Sequence, residues 1–151
     1  MIHTLKRSQV IPTNIESAWD FFSDPRNLAK ITPPELDFTV LRALPERIHA
    51  GMMIEYRVRP LLGIPARWLT EITSVDPGKS FVDEQRIGPY RIWHHEHHFK
   101  KLDASRTEIL DKVTYVLPFR PFGDWFHSIL VKPQLEKIFA FREKAVATLF
   151  G

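Results

Sequence analysis

Phe81-Val82-Asp83-Glu84-Gln85-Arg86-Ile87-Gly88-Pro89-Tyr90-Arg91-Ile92-Trp93-His94-His95-Glu96-His97-His98-Phe99 is the stretch on which the reading of this chain turns. It holds two runs of period-two alternation parted by Gly88-Pro89, a turn dipeptide. Side chains alternate across a strand, so Phe81, Asp83, Gln85 and Ile87 share one face, against Val82, Glu84 and Arg86. In the second run Trp93, His95, His97 and Phe99 share a face, against Ile92, His94, Glu96, His98 and Lys100. The ring-bearing sets are assigned to the interior and the mostly ionisable ones to water. A short connection between successive strands implies antiparallel pairing, because a parallel pair needs a long crossover.

The alternation extends outward on both sides. Strands are expected over 2–11, 36–44, 52–59, 66–75, 79–87, 91–102 and 106–117, with Pro77-Gly78 a further clear turn. Between the first two, Asn14 can cap a helix whose stripe is Ile15, Ala18, Trp19 and Phe22. Asp24-Pro25 stops it, and a second short helix over Arg26 to Ile31 precedes Pro33-Pro34. After the last strand a long helix spans Phe122 to Phe150. One stripe is Phe122, Trp125, Phe126, Ile129 and Leu130; its continuation is Leu135, Ile138, Phe139, Arg142, Val146 and Leu149. Pro133 inside it predicts a kink. Neither a repeat nor a linker divides the chain, so one domain is expected over 1–151.

One strand, two short helices, six strands and a long terminal helix make an α+β chain in the order of the helix-grip arrangement. In that arrangement a curved seven-stranded antiparallel sheet wraps the C-terminal helix. Ala18-Trp19-Asp20-Phe21-Phe22-Ser23-Asp24-Pro25-Arg26-Asn27-Leu28 resembles the first helix and following turn of the SRPBCC (START-like, helix-grip) superfamily. Phe81–Gln85, Gly88-Pro89-Tyr90, Trp93–Phe99, Asp111-Lys112-Val113-Thr114-Tyr115 and Ile138-Phe139-Ala140-Phe141-Arg142 resemble a bacterial branch labelled polyketide cyclase/dehydrase-like or ligand-binding. The resemblance covers essentially the whole chain. It implies a cavity between sheet and helix, expected at about 300 Å³ or more. The fold hosts carriers, receptors and cyclases alike, so it does not choose a chemistry.

Composition narrows the choice. The chain has 151 residues, 44% hydrophobic and 26% charged, the balance of a globular protein. Its formal net charge is +3, with basic residues scattered singly, so no nucleic-acid partner is expected. The absence of cysteine excludes disulfides, thiolate nucleophiles and Cys-ligated zinc. No signal-peptide pattern opens the chain, and no apolar run approaches the ~20 residues of a membrane span. A cytoplasmic location is the resulting expectation. Neither a Gly-x-Ser-x-Gly elbow nor a phosphate-cradling glycine loop occurs.

The chemistry-bearing residues lie on the inward faces. Ile109, Asp111, Val113, Tyr115 and Leu117 form an inward row, so Asp83, Asp111, His95 and His97 are expected to meet in one partly dry space. Opposed residues should have even sums: Asp83 with His95, Gln85 with Trp93, His97 with Asp111, Trp93 with Tyr115, or, after a two-residue slip, Asp83 with His97. Such groups can satisfy one another, orient the polar end of a ligand, or act as an acid–base pair; the first two readings are preferred to catalysis. His95 and His97 with Asp83 or Asp111 could also chelate a metal, but the glycine and glutamate pattern of cupins is missing and no metal or cofactor is expected. Trp68, Asp83, Gln85, Trp93, His95, His97, Asp111, Tyr115, Trp125, Phe126 and Ile129 are the expected ligand contacts. Trp19 is read as plain packing. The partner is thus a small apolar or aromatic molecule; the alternatives are a cyclase/dehydrase-type enzyme and a protein-interaction module like the fold's chaperone-activating relatives.

Overall fold

The computed structural model describes all residues, 1–151. Strand β1, His3–Ile11, leads into helix α1, Ile15–Phe22, and two 3₁₀ turns, Pro25–Ile31 and Pro34–Leu36. Strands β2 (Thr39–Val40), β3 (Met53–Leu61), β4 (Ile64–Asp76), β5 (Ser80–Ile87), β6 (Ile92–Lys101) and β7 (Thr107–Val116) follow. Helix α2, Phe122–Phe126, a π turn, His127–Val131, and helix α3, Lys132–Phe150, complete the chain. The sheet is antiparallel in the order β1-β7-β6-β5-β4-β3-β2. This is the helix-grip fold.

Local chemistry sets the element ends. Asn14 accepts from the Ser17 N–H at 2.8 Å and caps α1, which buries Ala18, Trp19 and Phe22. Asp24 accepts from the Arg26 N–H, and Pro25 supplies the first position of the turn after it. The strand expected over 36–44 shrinks to two residues. Asp37 adopts a left-handed conformation at φ 49°, which ends any extended run there, and Pro45 lies just beyond.

Curvature comes from irregularities in the β4–β5 ladder. The register shifts between Leu69 and Thr70 and again between Ile72 and Ser74, so one strand gains a residue on the other each time. Such bulges bend and twist a sheet. Leu135 and Phe139 of α3 join a core with Val113, Tyr115 and Leu117, while Ile138 reaches Val58 and Trp68 across the sheet. A second core gathers Trp19, Phe22, Phe81, Phe99 and Val146. Trp19 meets Phe81 and Phe99 edge-on, as packing alone would require.

The interruption expected at Pro133 takes the form of the π turn at His127–Val131. Proline cannot donate to the carbonyl one turn back and its ring crowds that carbonyl, so a widened turn just before it relieves both. Trp125, Phe126 and Ile129, expected to face inward, lie exposed to solvent: counted back from buried Leu135 at about 100° per residue they fall roughly 80°, 180° and 120° away around the helix. That correction removes them from the interior.

Candidate functional site

Between the sheet, α3 and the 3₁₀ turns lies a cavity of about 210 Å³. It is smaller than the size expected from sequence, yet larger than the ~150 Å³ void that accommodates benzene in an engineered core. Trp68 on β4, Asp83 on β5 and Trp93, His95 and His97 on β6 line it. Trp68 and Trp93 meet edge-on at 5.4 Å between ring centroids, and Tyr90 leans on both.

The polar wall is a five-residue cluster. His95 and Asp83 are opposed across β5–β6, and His97 and Asp111 across β6–β7. The short hydrogen bonds nevertheless run on the diagonals. His95 Nε2–H donates to Asp111 Oδ1 at 2.8 Å, and His97 Nε2–H donates to Asp83 Oδ2 at 2.6 Å. The directly opposed contacts are longer: 3.7 Å from His95 Nδ1 to Asp83 and 3.3 Å from His97 Nδ1 to Asp111. The imidazoles stack at 3.7 Å, Phe81 covers His97 at 4.0 Å, and Arg142 Nη2 lies 3.2 Å from Asp111 Oδ1. Arg142 also sits over the Phe22 ring, 5.6 Å from its centroid.

Charge divides unevenly between the two imidazoles. Burial lowers the pKa of His95, and the neighbouring His97 pushes it further down. Burial opposes protonation of His97 as well, but its contacts with Asp111 and Asp83 outweigh that and raise its pKa. Burial likewise works against ionising Asp111, yet Arg142 and both imidazoles hold it well below the usual carboxylate range. Asp83 is lowered too, burial being overcome by His95 and His97. The proton thus resides on His97 in preference to His95. Two carboxylates, a guanidinium and one imidazolium then sum to zero charge, as a buried cluster requires.

Asp83, His95 and His97 bring potential ligand atoms within 4.8 Å of one another. A cation there would displace the His97–Asp83 bond in a cluster that already contains the Arg142 charge. The donor set therefore fits mutual neutralisation better than a divalent ion.

Other sequence-selected residues have different places. Gln85 is past the end of the β5–β6 ladder, so it does not oppose Trp93. Its Oε1 accepts from Tyr90 N–H at 3.0 Å and its Nε2–H donates to Tyr90 O at 2.5 Å, which holds the turn rather than a ligand. Asp111 stands behind the imidazoles, outside the cavity lining. Tyr115 is opposite Trp93 but buried in the core, its hydroxyl 2.6 Å from His127 Nε2. Trp125, Phe126 and Ile129 are absent from the lining, for the phase reason above. The outward set keeps to the other face, where His94 meets Glu84 and Glu96 meets Lys112.

Arg142 is the main residue that sequence reasoning left out of the site. The signal was present: a guanidinium in an otherwise apolar helix stripe must find a buried anion. Tyr56, Thr70 and Tyr90 add hydroxyl groups to the lining, and burial raises the pKa of both tyrosines. Buried polar atoms without a protein partner include Trp68 Nε1, His97 Nδ1 and Arg142 Nε.

An open antiparallel sheet gripping a long helix, with a ring-lined hollow between, defines the START-like class of folds. Solved structures agree. The chain is similar to the ZhuI aromatase/cyclase of Streptomyces sp. R1128 at a TM-score of 0.78 and 16% identity, covering 98% of this chain and 93% of that one. It is similar to a START superfamily protein of Mycobacterium smegmatis at 0.73 and 12%, covering 98% and 97%. A major latex-like protein of Panax ginseng matches at 0.68 and 11%, covering 99% and 97%. No protein-family model and no curated protein matches the chain. No helix is long and apolar enough to cross a membrane.

Proposed function

We propose that this protein binds a compact, ring-containing small molecule in the internal cavity, its polar end against the histidine–aspartate wall. The observation that carries the reading is a ring-lined hollow bordered by buried donors without protein partners. Trp68 Nε1 and Arg142 Nε are such donors, and leaving them bare is costly. A ligand acceptor oxygen (a carbonyl or phenolic oxygen) would satisfy them while its rings meet Trp68, Tyr90 and Trp93. The volume of about 210 Å³ favours a ligand of one or two rings over a long lipid chain. Native mass spectrometry of the purified protein, followed by titration of hydroxylated aromatic compounds, tests this. The reading requires saturable one-to-one binding that weakens at least tenfold in Trp68→Phe or Arg142→Met. Binding that ignores both substitutions would refute it.

The split protonation of His95 and His97 supports a second reading, a cyclase/dehydrase-type proton transfer. Adjacent groups with pKa values pushed apart suit an acid and a base. The Nδ1 lone pair of His95 would take a proton from the ligand, His97 would give one to it, and passage of the gained proton from His95 to His97 would restore both rings. The ZhuI structure is that of an aromatase/cyclase. Turnover lost in His95→Ala, with ligand still bound, would favour this over simple carriage.

A further inference from the structure

One end of the molecule presents apolar side chains that no protein surface covers. Phe119 is 83% exposed, Phe122 67%, Trp125 66% and Ile129 57%. They occupy the segment from the end of β7 through the π turn, ahead of the helix portion that the sheet grips. The strand register brings other apolar tips to the same end. The β3–β4 hairpin closes at Leu61↔Ile64, with Leu62 70% exposed at its tip. Leu61 packs against the core of Leu117, Val131 and Leu135, which sets that hairpin beside the start of the gripped helix. Ile92 opposes Val116, so the exposed start of β6 adjoins the same corner. Phe119 holds a left-handed backbone at φ 59° while its ring gains no burial. A bulky residue in that region is strained, and nothing in the isolated fold repays it.

The charges around these rings have one predominant sign. Arg120 stands between Phe119 and Phe122, and exposed Lys132 lies three residues beyond Ile129, just past the π turn. The Arg91 N–H bonds the Val116 carbonyl, which anchors that arginine beside the segment. The Met1 amine lies 3.0 Å from Asp124, the one acidic group within it. Asp124 is shared by that amine and by Arg120, 3.4 Å away, while Arg91 and Lys132 have no acidic partner within 4 Å.

We propose that this end docks the protein on an anionic bilayer surface, with Phe119, Phe122, Trp125 and Ile129 inserted and Arg91, Arg120 and Lys132 at the headgroup level. Exposed rings flanked by Arg and Lys on a short amphipathic segment are the physical pattern of interfacial insertion. Basic residues near the surface add attraction to anionic lipid that salt screens. A protein partner would need a complementary acidic rim. A bilayer supplies both the apolar layer and the negative charge without further structure. This end of the molecule is separate from the histidine cluster, and none of its four exposed apolar residues lines the cavity.

The test is flotation of the full chain with vesicles of phosphatidylcholine alone or with phosphatidylglycerol added. The expected result is co-flotation with the anionic vesicles, at least tenfold weaker on neutral ones and reduced by added salt. Trp125→Asp should abolish it, Leu62→Asp on the separate hairpin should weaken it severalfold, and Arg91→Glu with Lys132→Glu should remove the preference for anionic lipid. All these positions are exposed, and a circular dichroism spectrum matching the parent checks that each variant folds. Absence of vesicle binding at low salt, or binding unmoved by Trp125→Asp and Leu62→Asp, overturns the proposal. Sedimentation equilibrium showing a dimer that Trp125→Asp dissociates, without vesicle binding, would assign the face to a second copy and overturn it as well.

Discussion

His97 bonds Asp83 at 2.6 Å although the residue directly opposite it on the neighbouring strand is Asp111. With His95 bonded to Asp111, the two contacts cross, and the stacked imidazoles are each held by the carboxylate diagonal to them. Carboxylates only accept, so both Nε2 atoms must carry hydrogen. The distinction between the rings is left to Nδ1. His97 Nδ1 lies near a second carboxylate at 3.3 Å, whereas that of His95 is 3.7 Å from its own.

The first prediction is that the two imidazoles titrate on opposite sides of the ordinary histidine value, His95 below it and His97 above. A group whose folded pKa is raised stabilises fully below its unfolded pKa, and that contribution disappears as pH rises through the folded value. His97→Gln should therefore cost more stability at pH 6 than at pH 9. His95 has the opposite sign, its cost appearing as pH falls below 6.5 toward its folded value. Imidazole NMR titrations give the pKa values directly; coincident curves would show that the charge division is wrong.

Asp111→Asn should destabilise by about 3 kcal/mol at neutral pH, because it leaves a buried guanidinium without its anion. The depressed pKa of Asp111 makes its contribution complete above 3.8, with loss as pH falls through the lower folded value. The deficit of the variant should consequently narrow below pH 3.8. Urea unfolding at pH 7 and in acid measures both limbs, and a pH-independent deficit would rule out an ionised Asp111.

Helix phase is tested at Phe139 and Lys144. Phe139 is buried against Leu135 and Tyr115, so Phe139→Ala should cost about 3–5 kcal/mol. Lys144 is exposed, and Lys144→Ala should change stability by less than about 0.5 kcal/mol. Equal shifts in chemical denaturation would place the gripped face elsewhere.

The turn at Gly88 gives a coupling experiment. A Cβ there would come within 2.4 Å of Gln85 Oε1, so Gly88→Ala must dislodge the side chain that bonds Tyr90. Losing those two bonds should cost about 1–2 kcal/mol. In a Gln85→Ala background the same substitution should cost less than about 0.5 kcal/mol, a double-mutant coupling that strain in the turn itself would not produce.

Strand register was legible in the residues because alternation and short turns leave few pairings. On β5, β6 and β7 the inward residues are all odd-numbered, so opposed pairs have even sums, and Asp83↔His95, His97↔Asp111 and Trp93↔Tyr115 are the pairs found. Gln85 escaped the rule because the ladder ends before it. The period of the chain also placed α1, the meander and the gripped half of the terminal helix. These follow from local geometry, in which each side chain's direction is set by its own backbone period.

Tertiary structure decided what local period cannot carry. Which carboxylate each imidazole bonds depends on side-chain rotation, not register, so opposition in the ladder did not predict the diagonal contacts. Arg142 entered the cluster only when α3 was laid across the sheet, one helix turn beyond Ile138, close to Asp111. Trp125, Phe126 and Ile129 are a different case: a period of about 100° per residue already separates them from the stripe of Leu135, so their outward position was legible in the spacing. Sequence alone determined the order of elements and the faces of the strands, because a strand's period is two wherever it lies. The partners of the buried charges waited for the tertiary fold, because one rotated side chain redirects contacts without changing any pattern in the sequence.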